Sequence, residues 1–418
     1  MIPPRTKEPL IFPSHPLSNT VRNTNDSMSA AGIECVCIVG LGVVGESLLR
    51  EFSQAYATIG FDISEKRIEE LRAKYRDHAA LKLTSNEVDL RRATHYLLAV
   101  PTFPRTDYSA DISHLKSALS TVVRRASPDS TIVIESNVSV GTTRALFDPV
   151  GHIFHTGISA ERFDPGQNPP AGTDVPKLVS GLTPQAQSNI LALYSTVFPT
   201  VLSVSSPEIA EMTMLFENSY QMVNIAYVNE VSNACRNLGL DPREVIDAAS
   251  TKPFGFHAFH PSLGIGGHCV PVNAVYLLAT YENLPVLTQS TKSMRNRPRQ
   301  LARELHGHIM SVNLGSSVLQ PRILMIGMSF ESGGCTLSYL PAVDFASELE
   351  QLGCERLVYY DPSFSDSALL WIEKLADEAF NPIEVVTSFD VVAVCTRQQG
   401  VDYGMLGNLP SEMVWYYD

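Results

Sequence analysis

The stretch "IECVCIVGLGVVGESLLREFSQAYATIGFDISEKRIEEL", residues 33–71, decides the fold of the first half of the chain. An apolar run leads into Gly40, Gly42 and Gly45, and a helical stretch and a second apolar run follow, ending at Asp62. A strand, a three-glycine turn, a helix and an acidic residue about 20 positions after the first glycine are typical of a dinucleotide-binding unit. The alternative is a glycine-rich turn that binds no ligand.

The same turn predicts the cofactor. Glycines let the backbone approach a pyrophosphate, and the helix that begins at Val43 and Val44 supplies N–H donors and a partial positive charge. Asp62 is expected to accept hydrogen bonds from the adenosine ribose and to repel a 2′-phosphate, which favours NAD over NADP. Arg67 weakens that preference, unless its side chain lies over the adenine.

Two further apolar runs, "HYLLAVPTFP" and "STIVIESNVSVGTT", each end in polar, turn-forming residues. In a doubly wound parallel sheet, ligands gather at the carboxyl ends of the strands. The residues there are expected to line the cofactor cleft, unless they are ordinary loop residues: Val100, Pro101, Thr102, Ser136 and Asn137.

Residues 205–239 predict one long helix. Ser205 and Glu208 have the spacing of a capping box, and Gly239 suits the end of the helix. We expect the helix to run from about Pro207 to Leu238, a length of roughly 45–50 Å. Its apolar residues recur on more than one face, so it is expected to join two domains and to form a two-fold homodimer. The residues expected at the dimer interface are Met222, Ile225, Ala226 and Val231.

A second α/β series begins at "QPRILMIGMSFESGG" and continues through "LPAVDFASELEQLG", "RLVYYD" and "FDVVAVCTR". The predicted fold is therefore two Rossmann-like, doubly wound α/β domains joined by a long central helix. The expected divisions are a disordered extension over 1–31, an NAD-binding domain over 32–205, a central helix and cysteine loop over 206–300, and a C-terminal substrate-binding domain over 301–418.

Composition excludes several classes of function. The 418 residues include 44 acidic and 31 basic side chains, and a net charge of −13 argues against a nucleic-acid partner. No apolar run reaches the roughly 18 residues that span a bilayer, so no membrane partner is expected. The seven scattered cysteines have no metal-ligand spacing, which predicts a reducing, cytoplasmic location and no metal site.

The stretch "PSLGIGGHCVPVNAVYLL", residues 261–278, contains a candidate nucleophile. Cys269 follows a glycine-rich turn and precedes an apolar run that could begin a helix. A cysteine at a helix N-terminus loses its proton more easily, because the helix dipole stabilises the thiolate. The alternative is a small buried residue in a tight turn.

From about residue 33 to residue 418 the chain resembles the UDP-glucose/GDP-mannose dehydrogenases. The similar motifs are the glycine turn, "AVPTFP", "ESNVSVGTT", "SAERFDPG", "AEMTMLFENSYQMVNIAYVNE" and "TKPFGFHAFHPSLGIGGHCVPV". "SAERFDPG" is closest to the branch that acts on UDP-N-acetylhexosamines. The resemblance implies NAD-dependent oxidation of the C6 alcohol of a nucleotide sugar to a carboxylate.

The resemblance also implies roles for individual residues. Cys269 would attack the C6 aldehyde, Asn218 would help to hold the oxyanion, and Glu161 would assist the hydrolytic water. Arg162 matches a sugar-recognising arginine. The residues expected to bind substrate are Glu161, Arg162, Phe163, Asn218, Lys252, Phe259, Gly264 and Gly266.

The chain departs from the family pattern at several of these positions. Met214 replaces a lysine that stabilises the oxyanion, and Asn273 replaces the aspartate that serves as base. Asn137 replaces a threonine, and Glu331 and Ser338 replace a lysine and an arginine of the C-terminal signature. Loss of one oxyanion donor typically costs about 2.7–4 kcal/mol of barrier.

Three hypotheses follow. The chain is a working dehydrogenase in which neighbours such as Lys177, Lys252 or His268 replace the lost groups. Alternatively, it retains NAD and Cys269 but catalyses a different oxidation. The third hypothesis is a non-catalytic homologue.

Overall fold

The computed structural model describes residues 20–22, 35–104, 110–160, 162, 175–267, 269–281, 283–312, 321–329, 340–354, 356–363 and 371–417. Within these ranges the chain forms two large sheets separated by a helical region. Among these residues, no helix is both long and apolar enough to cross a membrane.

The first sheet has nine strands in the order β4-β3-β2-β5-β8-β9-β10-β11-β1. Their bounds are β1 Thr20–Arg22, β2 Val36–Val39, β3 Thr58–Phe61, β4 Leu81–Thr84, β5 His95–Leu98, β8 Thr131–Ile134, β9 His155–Ala160, β10 Lys177–Gly181 and β11 Thr200–Ser203. From β4 to β9 neighbouring strands are parallel, and β10 then pairs antiparallel with β9. A short ribbon formed by β6 (Phe103–Pro104) and β7 (Ala110–Asp111) lies outside this sheet.

Helices cover both faces of the first sheet. They are α1 Val43–Phe52, α2 Glu65–Lys74, α3 Ser113–Val123, α4 Thr142–Phe147 and α5 Pro184–Val197. Phe52 of α1 and Tyr194 of α5 pack in the core on one face, and Leu115 of α3 and Phe147 of α4 pack in the core on the other. The register aligns Val39 with Phe61 and Leu98, so the carboxyl ends of the three strands meet at one edge.

The N-terminal extension was predicted to be disordered over residues 1–31, and this is wrong for Thr20–Arg22. These residues form β1, which pairs antiparallel with β11. Without β1, β11 would be an edge strand with unpaired backbone groups, and the added strand covers them. The rest of the predicted extension lies outside the described residues.

Four helices follow the first sheet: α6 Pro207–Asn237, α7 Pro242–Ser250, α8 Cys269–Thr280 and α9 Pro285–Val312. The predicted long helix is confirmed, and its 31 residues correspond to about 46 Å. Its N-cap is Ser206, whose side chain accepts a hydrogen bond from the Ile209 N–H, so the predicted capping role of Ser205 is wrong. Glu208 instead pairs with Arg144 at 2.6 Å.

The second sheet is parallel throughout, in the order β14-β13-β12-β15-β16. Its strands are β12 Arg322–Ile326, β13 Arg356–Tyr360, β14 Glu373–Lys374, β15 Val391–Val394 and β16 Val414–Tyr416, with helices α10 Pro341–Gln351 and α11 Pro382–Ser388. This is the strand order of the first five parallel strands of the first sheet, so the predicted fold with two Rossmann-like halves is confirmed. The domain limits stay predictions, and the limit at residue 300 falls within α9.

Candidate active site

The glycine turn between β2 and α1 is open on the side where a dinucleotide would bind. A Cβ added at Gly45 would lie 1.8 Å from the carbonyl oxygen of Gly40, and one at Gly40, where φ is +90°, would lie 2.8 Å from the carbonyl oxygen of Ala99. A Cβ added at Gly42, in contrast, has nothing within 4 Å. Gly42 is the N-cap of α1 and provides no side-chain cap, and Val43 is exposed. The first N–H groups of α1 are therefore available to an anion.

Asp62 follows β3 and lies beside this turn. Its carboxylate accepts hydrogen bonds from the Leu41 N–H at 2.8 Å and from the Ser64 N–H at 2.9 Å. A carboxylate can accept about four hydrogen bonds, and Asp62 is only half-buried, so it can still accept from a ribose. The uncapped helix, the open turn and this carboxylate together fit the adenosine half of NAD.

The loops after β5 and β8 meet at the same edge, as expected for neighbouring parallel strands. The Ser136 hydroxyl donates to the Val100 carbonyl at 2.6 Å, and the Thr102 hydroxyl donates to the Asn137 carbonyl at 2.7 Å. Pro101 is exposed between them. Their contact with the cofactor stays a prediction.

Glu211 of α6 joins this edge to the central helix and was not predicted. It is buried, and its two carboxylate oxygens accept from the Gly141 N–H at 2.6 Å and the Thr143 N–H at 2.8 Å. Burial raises the pKa of Glu211, although the hydrogen bonds from Thr143 and Gly141 oppose this shift. The signal in the sequence was an acidic residue among the apolar residues Ala210, Met214 and Leu215 of the helix.

Met214 and Asn218 follow Glu211 on the same face of α6, at helical spacing. Met214 is buried in the core of the first sheet with Ile158 and Leu178. The Asn218 side-chain amide donates to the Met214 carbonyl at 3.0 Å, and Met214 Sδ lies 3.3 Å away. The positions that the resemblance assigns to the oxyanion are therefore occupied by a buried thioether and a neutral amide.

Arg162 forms a bidentate ion pair with Glu217, the residue before Asn218. Its Nε and Nη2 lie 3.1 and 2.7 Å from the two carboxylate oxygens, and Nη1 donates to the Pro176 carbonyl at 3.1 Å. The arrangement brings Arg162 to the helix that carries Asn218. Glu161 and Phe163 lie outside the described residues.

The loop before the cysteine is anchored through Ser262. Its N–H donates to the Asn229 side chain at 3.0 Å, and its carbonyl accepts from Arg297 at 2.7 Å. Burial lowers the pKa of Arg297 to about 10. A Cβ added at Gly264 would lie 2.9 Å from Pro341 and 3.0 Å from Pro298, so a side chain there would push against α9 and α10. Gly266 is buried in the same loop.

Cys269 is half-buried and is the first residue of α8, which confirms the predicted position at the start of a helix. Asn273 lies one turn later and is 0% exposed. Neither its side-chain oxygen nor its nitrogen has a hydrogen-bond partner among the described residues. A buried amide with both polar atoms unsatisfied is costly, and such groups are often found at functional sites.

Lys177, Lys252 and His268 were candidates to replace the lost lysine and aspartate, and the two that the structure describes lie in different environments. Lys177 is buried, and its ammonium pairs with Glu135 at 3.2 Å. Lys252 lies in an exposed segment, 5.1 Å from the Phe254 ring centroid. In the same segment Phe259 packs edge-on against Tyr220 of α6. His268, Glu331 and Ser338 lie outside the described residues.

Family models match two parts of the chain. The NAD binding domain of the UDP-glucose/GDP-mannose dehydrogenase family matches residues 34–197, and the central domain of that family matches residues 208–297. The first match includes the glycine turn and Asp62, and it identifies NAD as the cofactor. The second includes α6 and Cys269.

Individual proteins are similar over most of the chain. Protein CapL of Staphylococcus aureus is 30% identical over 340 residues, covering 76% of this chain and 80% of CapL. UDP-N-acetyl-D-glucosamine 6-dehydrogenase of Pseudomonas aeruginosa is 28% identical, covering 78% and 82%. The solved UDP-glucose dehydrogenase of Pyrobaculum islandicum superposes with a TM-score of 0.80 at 20% identity, covering 94% and 95%, which supports the fold alone.

Proposed function

The chain belongs to the UDP-glucose/GDP-mannose dehydrogenase family, and on that premise we propose that it oxidises C6 of a nucleotide sugar with NAD. The observation that carries the proposal is the position of Cys269, at the first turn of α8 behind a loop anchored through Ser262. NAD, when bound, would supply the hydride acceptor, and two NAD molecules are needed in turn, because C6 loses one hydride when the alcohol becomes the aldehyde and a second when the cysteine adduct becomes the thioester. The open glycine turn and Asp62 would hold its adenosine half, and Val100, Pro101, Thr102, Ser136 and Asn137 would line the rest of its cleft.

The proposed role of Cys269 is covalent. Its thiolate adds to the carbonyl carbon of the C6 aldehyde, forming a C–S bond and an alkoxide. Loss of hydride from that carbon restores a C=O bond and leaves a thioester. Water then breaks the C–S bond, releasing the carboxylic acid and returning the thiol. The amide of Asn218 is a neutral donor for the alkoxide, and Glu161 would assist the water.

The proposed substrate is a UDP-N-acetylhexosamine or UDP-glucose. The names of similar proteins and the "SAERFDPG" motif favour the first. Arg162 would meet the sugar, since its ion pair with Glu217 holds the guanidinium beside the helix that carries Asn218. Phe163, Lys252, Phe259, Gly264 and Gly266 are the other proposed substrate contacts.

A second candidate function is a different NAD-linked oxidation, or binding without turnover. Met214 and Asn273 favour it, because neither side chain can accept the alcohol proton or supply a charged donor. Met214 is part of an apolar core and Asn273 is fully buried, so both are integrated into the packing.

NADH formation across a panel of nucleotide sugars tests the first candidate. We expect slow but measurable turnover with at least one UDP-sugar, and none with Cys269→Ser. Cys35→Ser is the matched control, because Cys35 is also half-buried but lies at the far end of β2 from the glycine turn. An equal loss of turnover in both variants, or activity of Cys269→Ser that forms the acid, would contradict the role of Cys269.

The double variant Met214→Lys, Asn273→Asp distinguishes the two candidates. If the chain is a weakened 6-dehydrogenase, the double variant raises turnover on a UDP-hexose or UDP-N-acetylhexosamine. If the pocket was rebuilt for other chemistry, it lowers activity on the natural substrate. If no sugar nucleotide in the panel yields NADH with either protein, the first candidate fails.

We also propose a homodimer through α6, but not through Met222 and Ala226. Met222 and Ala226 pack within the chain against Val272 and Tyr276 of α8, so their predicted place at the interface is wrong. Ile225 and Val231 are half-buried. A different face is apolar and exposed, and includes Phe216 at 64% and Tyr227 at 66% exposed, together with Ile209, Met212 and Tyr220.

This exposed face of α6 gives the dimer its test. Phe216→Glu should yield a monomer in light scattering at micromolar concentration, whereas the unchanged chain is dimeric. Val286→Glu is the control, since Val286 is 66% exposed on α9. A monomeric unchanged chain would overturn the proposal.

A further inference from the structure

Glu46 joins α1 to three residues in and directly after α2, beside the glycine turn that would hold NAD. It lies in the first turn of α1, directly after the last glycine of the turn. One carboxylate oxygen accepts from Lys74 at 2.6 Å and from the Tyr75 hydroxyl at 3.3 Å. The other pairs closely with Nη2 of Arg67.

Arg67 is held on the glycine turn by a second contact. Its Nε donates to the Leu41 carbonyl at 2.8 Å, while the Leu41 N–H donates to Asp62 at the same distance. Arg67 and Asp62 therefore contact opposite ends of one residue. A third, longer contact joins Arg67 Nη1 to Glu70 at 3.4 Å on the exposed side of α2.

These contacts restrict a cation that would otherwise be free to meet a 2′-phosphate. A phosphate on the ribose would lie against Asp62, and its binding requires a nearby cation as counter-charge. Arg67 shares Leu41 with Asp62 as a hydrogen-bond partner, and its guanidinium presents several donors suited to phosphate. Glu46 engages one arm of that fork and neutralises Lys74 as well.

We propose that Glu46 is a specificity-determining residue, which restrains Arg67 on the glycine turn and so makes the site reject NADP. Asp62 repels the 2′-phosphate of NADP. Glu46 holds Arg67 so that its guanidinium does not attract that phosphate in compensation. Burial alone would raise the pKa of Glu46, but the hydrogen bonds from Lys74 and Arg67 lower it below its ordinary value. Glu46 is therefore a carboxylate at neutral pH.

The test measures dissociation constants for NAD and NADP by calorimetry, with no turnover. Glu46→Gln retains the shape of the side chain but removes its charge. We expect NADP to bind about five- to tenfold more tightly, with NAD changed by less than about threefold. Glu70→Gln is the matched control, because it removes the exposed partner of Arg67 and should leave the ratio unchanged.

A double variant assigns the gain to Arg67. Adding Arg67→Ala to Glu46→Gln should return NADP affinity to the level of Arg67→Ala alone. Equal tightening of both dinucleotides by Glu46→Gln would mean that Glu46 acts only through its charge near the pyrophosphate, and would overturn the proposal. Equal weakening of both would also overturn it. Because only binding is measured, these outcomes are independent of whether the protein oxidises a sugar.

Discussion

The two Rossmann-like halves share one backbone arrangement directly after their first strand. In the first half Gly40 follows β2 with φ +90°, and in the second Gly327 follows β12 with φ +81°. In each half the next residue donates its N–H to an aspartate that follows the second strand: Leu41 to Asp62, and Met328 to Asp361.

The two aspartates differ in burial and in their remaining capacity to accept hydrogen bonds. Asp62 is half-buried and accepts two hydrogen bonds. Asp361 is 0% exposed and accepts four, from the N–H groups of Met328, Ser329 and Ser363 and from the Ser329 hydroxyl. Three of these bonds reach Oδ2 and one reaches Oδ1, and the whole carboxylate is buried away from solvent. The same scaffold thus leaves acceptor capacity for a ribose in one half and uses it for folding in the other.

Removing each aspartate should separate these roles. Asp361→Ala leaves buried donors unsatisfied, so we expect the free energy of unfolding of the second half to fall by about 4 kcal/mol. Asp62→Ala should cost roughly 1 kcal/mol or less. Hydrogen exchange resolved by region, together with urea denaturation, measures both.

For NAD binding, we expect the larger effect from Asp62→Ala and not from Asp361→Ala. Asp62→Ala should weaken NAD binding about tenfold, through lost hydrogen bonds to the ribose. A similar loss of stability in both variants would show that the difference in burial has no energetic consequence.

The halves also differ in how they stabilise a buried carboxylate. The four donors to Asp361 among the described residues are uncharged, whereas Glu135, directly after β8, is paired with Lys177 and the Tyr194 hydroxyl. Lys177→Met would leave the Glu135 charge without its cation, so the first half should lose about 3 kcal/mol. Adding Glu135→Gln should recover part of this loss in urea denaturation. If the single variant is neutral, the ion pair does not stabilise the fold.

The local sequence pattern was sufficient to predict much of the fold and part of the candidate site. The glycine turn, Asp62 at the end of β3, the extent of α6 and the start of α8 at Cys269 all depend on residues close in sequence, and each was predicted. These features follow from steric limits on glycine, from capping and from periodicity, which a single sequence displays.

Features set by distant residues were not predictable. Met222 and Ala226 are apolar on a helix with more than one apolar face, so only the docking of α8 determines which face is internal. The pairing of β1 with β11 joins positions far apart along the chain. The ion pair between Arg162 and Glu217 similarly depends on how α6 crosses the first sheet.

A smaller difference between the halves concerns the loss of folding stability at low pH. His95 at the start of β5 is buried, and its Nδ1 lies 2.9 Å from the Thr94 hydroxyl. Burial, with a smaller effect from His155, lowers the pKa of His95 to about 4 from its ordinary value of 6.5. As pH falls from about 6.5 to 4, the unfolded chain binds a proton that the folded chain does not. Stability is therefore full above about pH 6.5 and is lost toward pH 4.

This predicts a loss of about 2 kcal/mol in the first half between pH 7 and pH 4.5 that His95→Gln removes. The variant should show a flatter dependence of unfolding free energy on pH than the unchanged chain, whatever its stability at pH 7. His114→Gln is the control, because His114 is exposed on α3 and its replacement should leave the slope unchanged. If His95→Gln retains the slope of the unchanged chain, other groups cause the acid sensitivity, because a proton taken up only on unfolding must disappear with the imidazole that binds it.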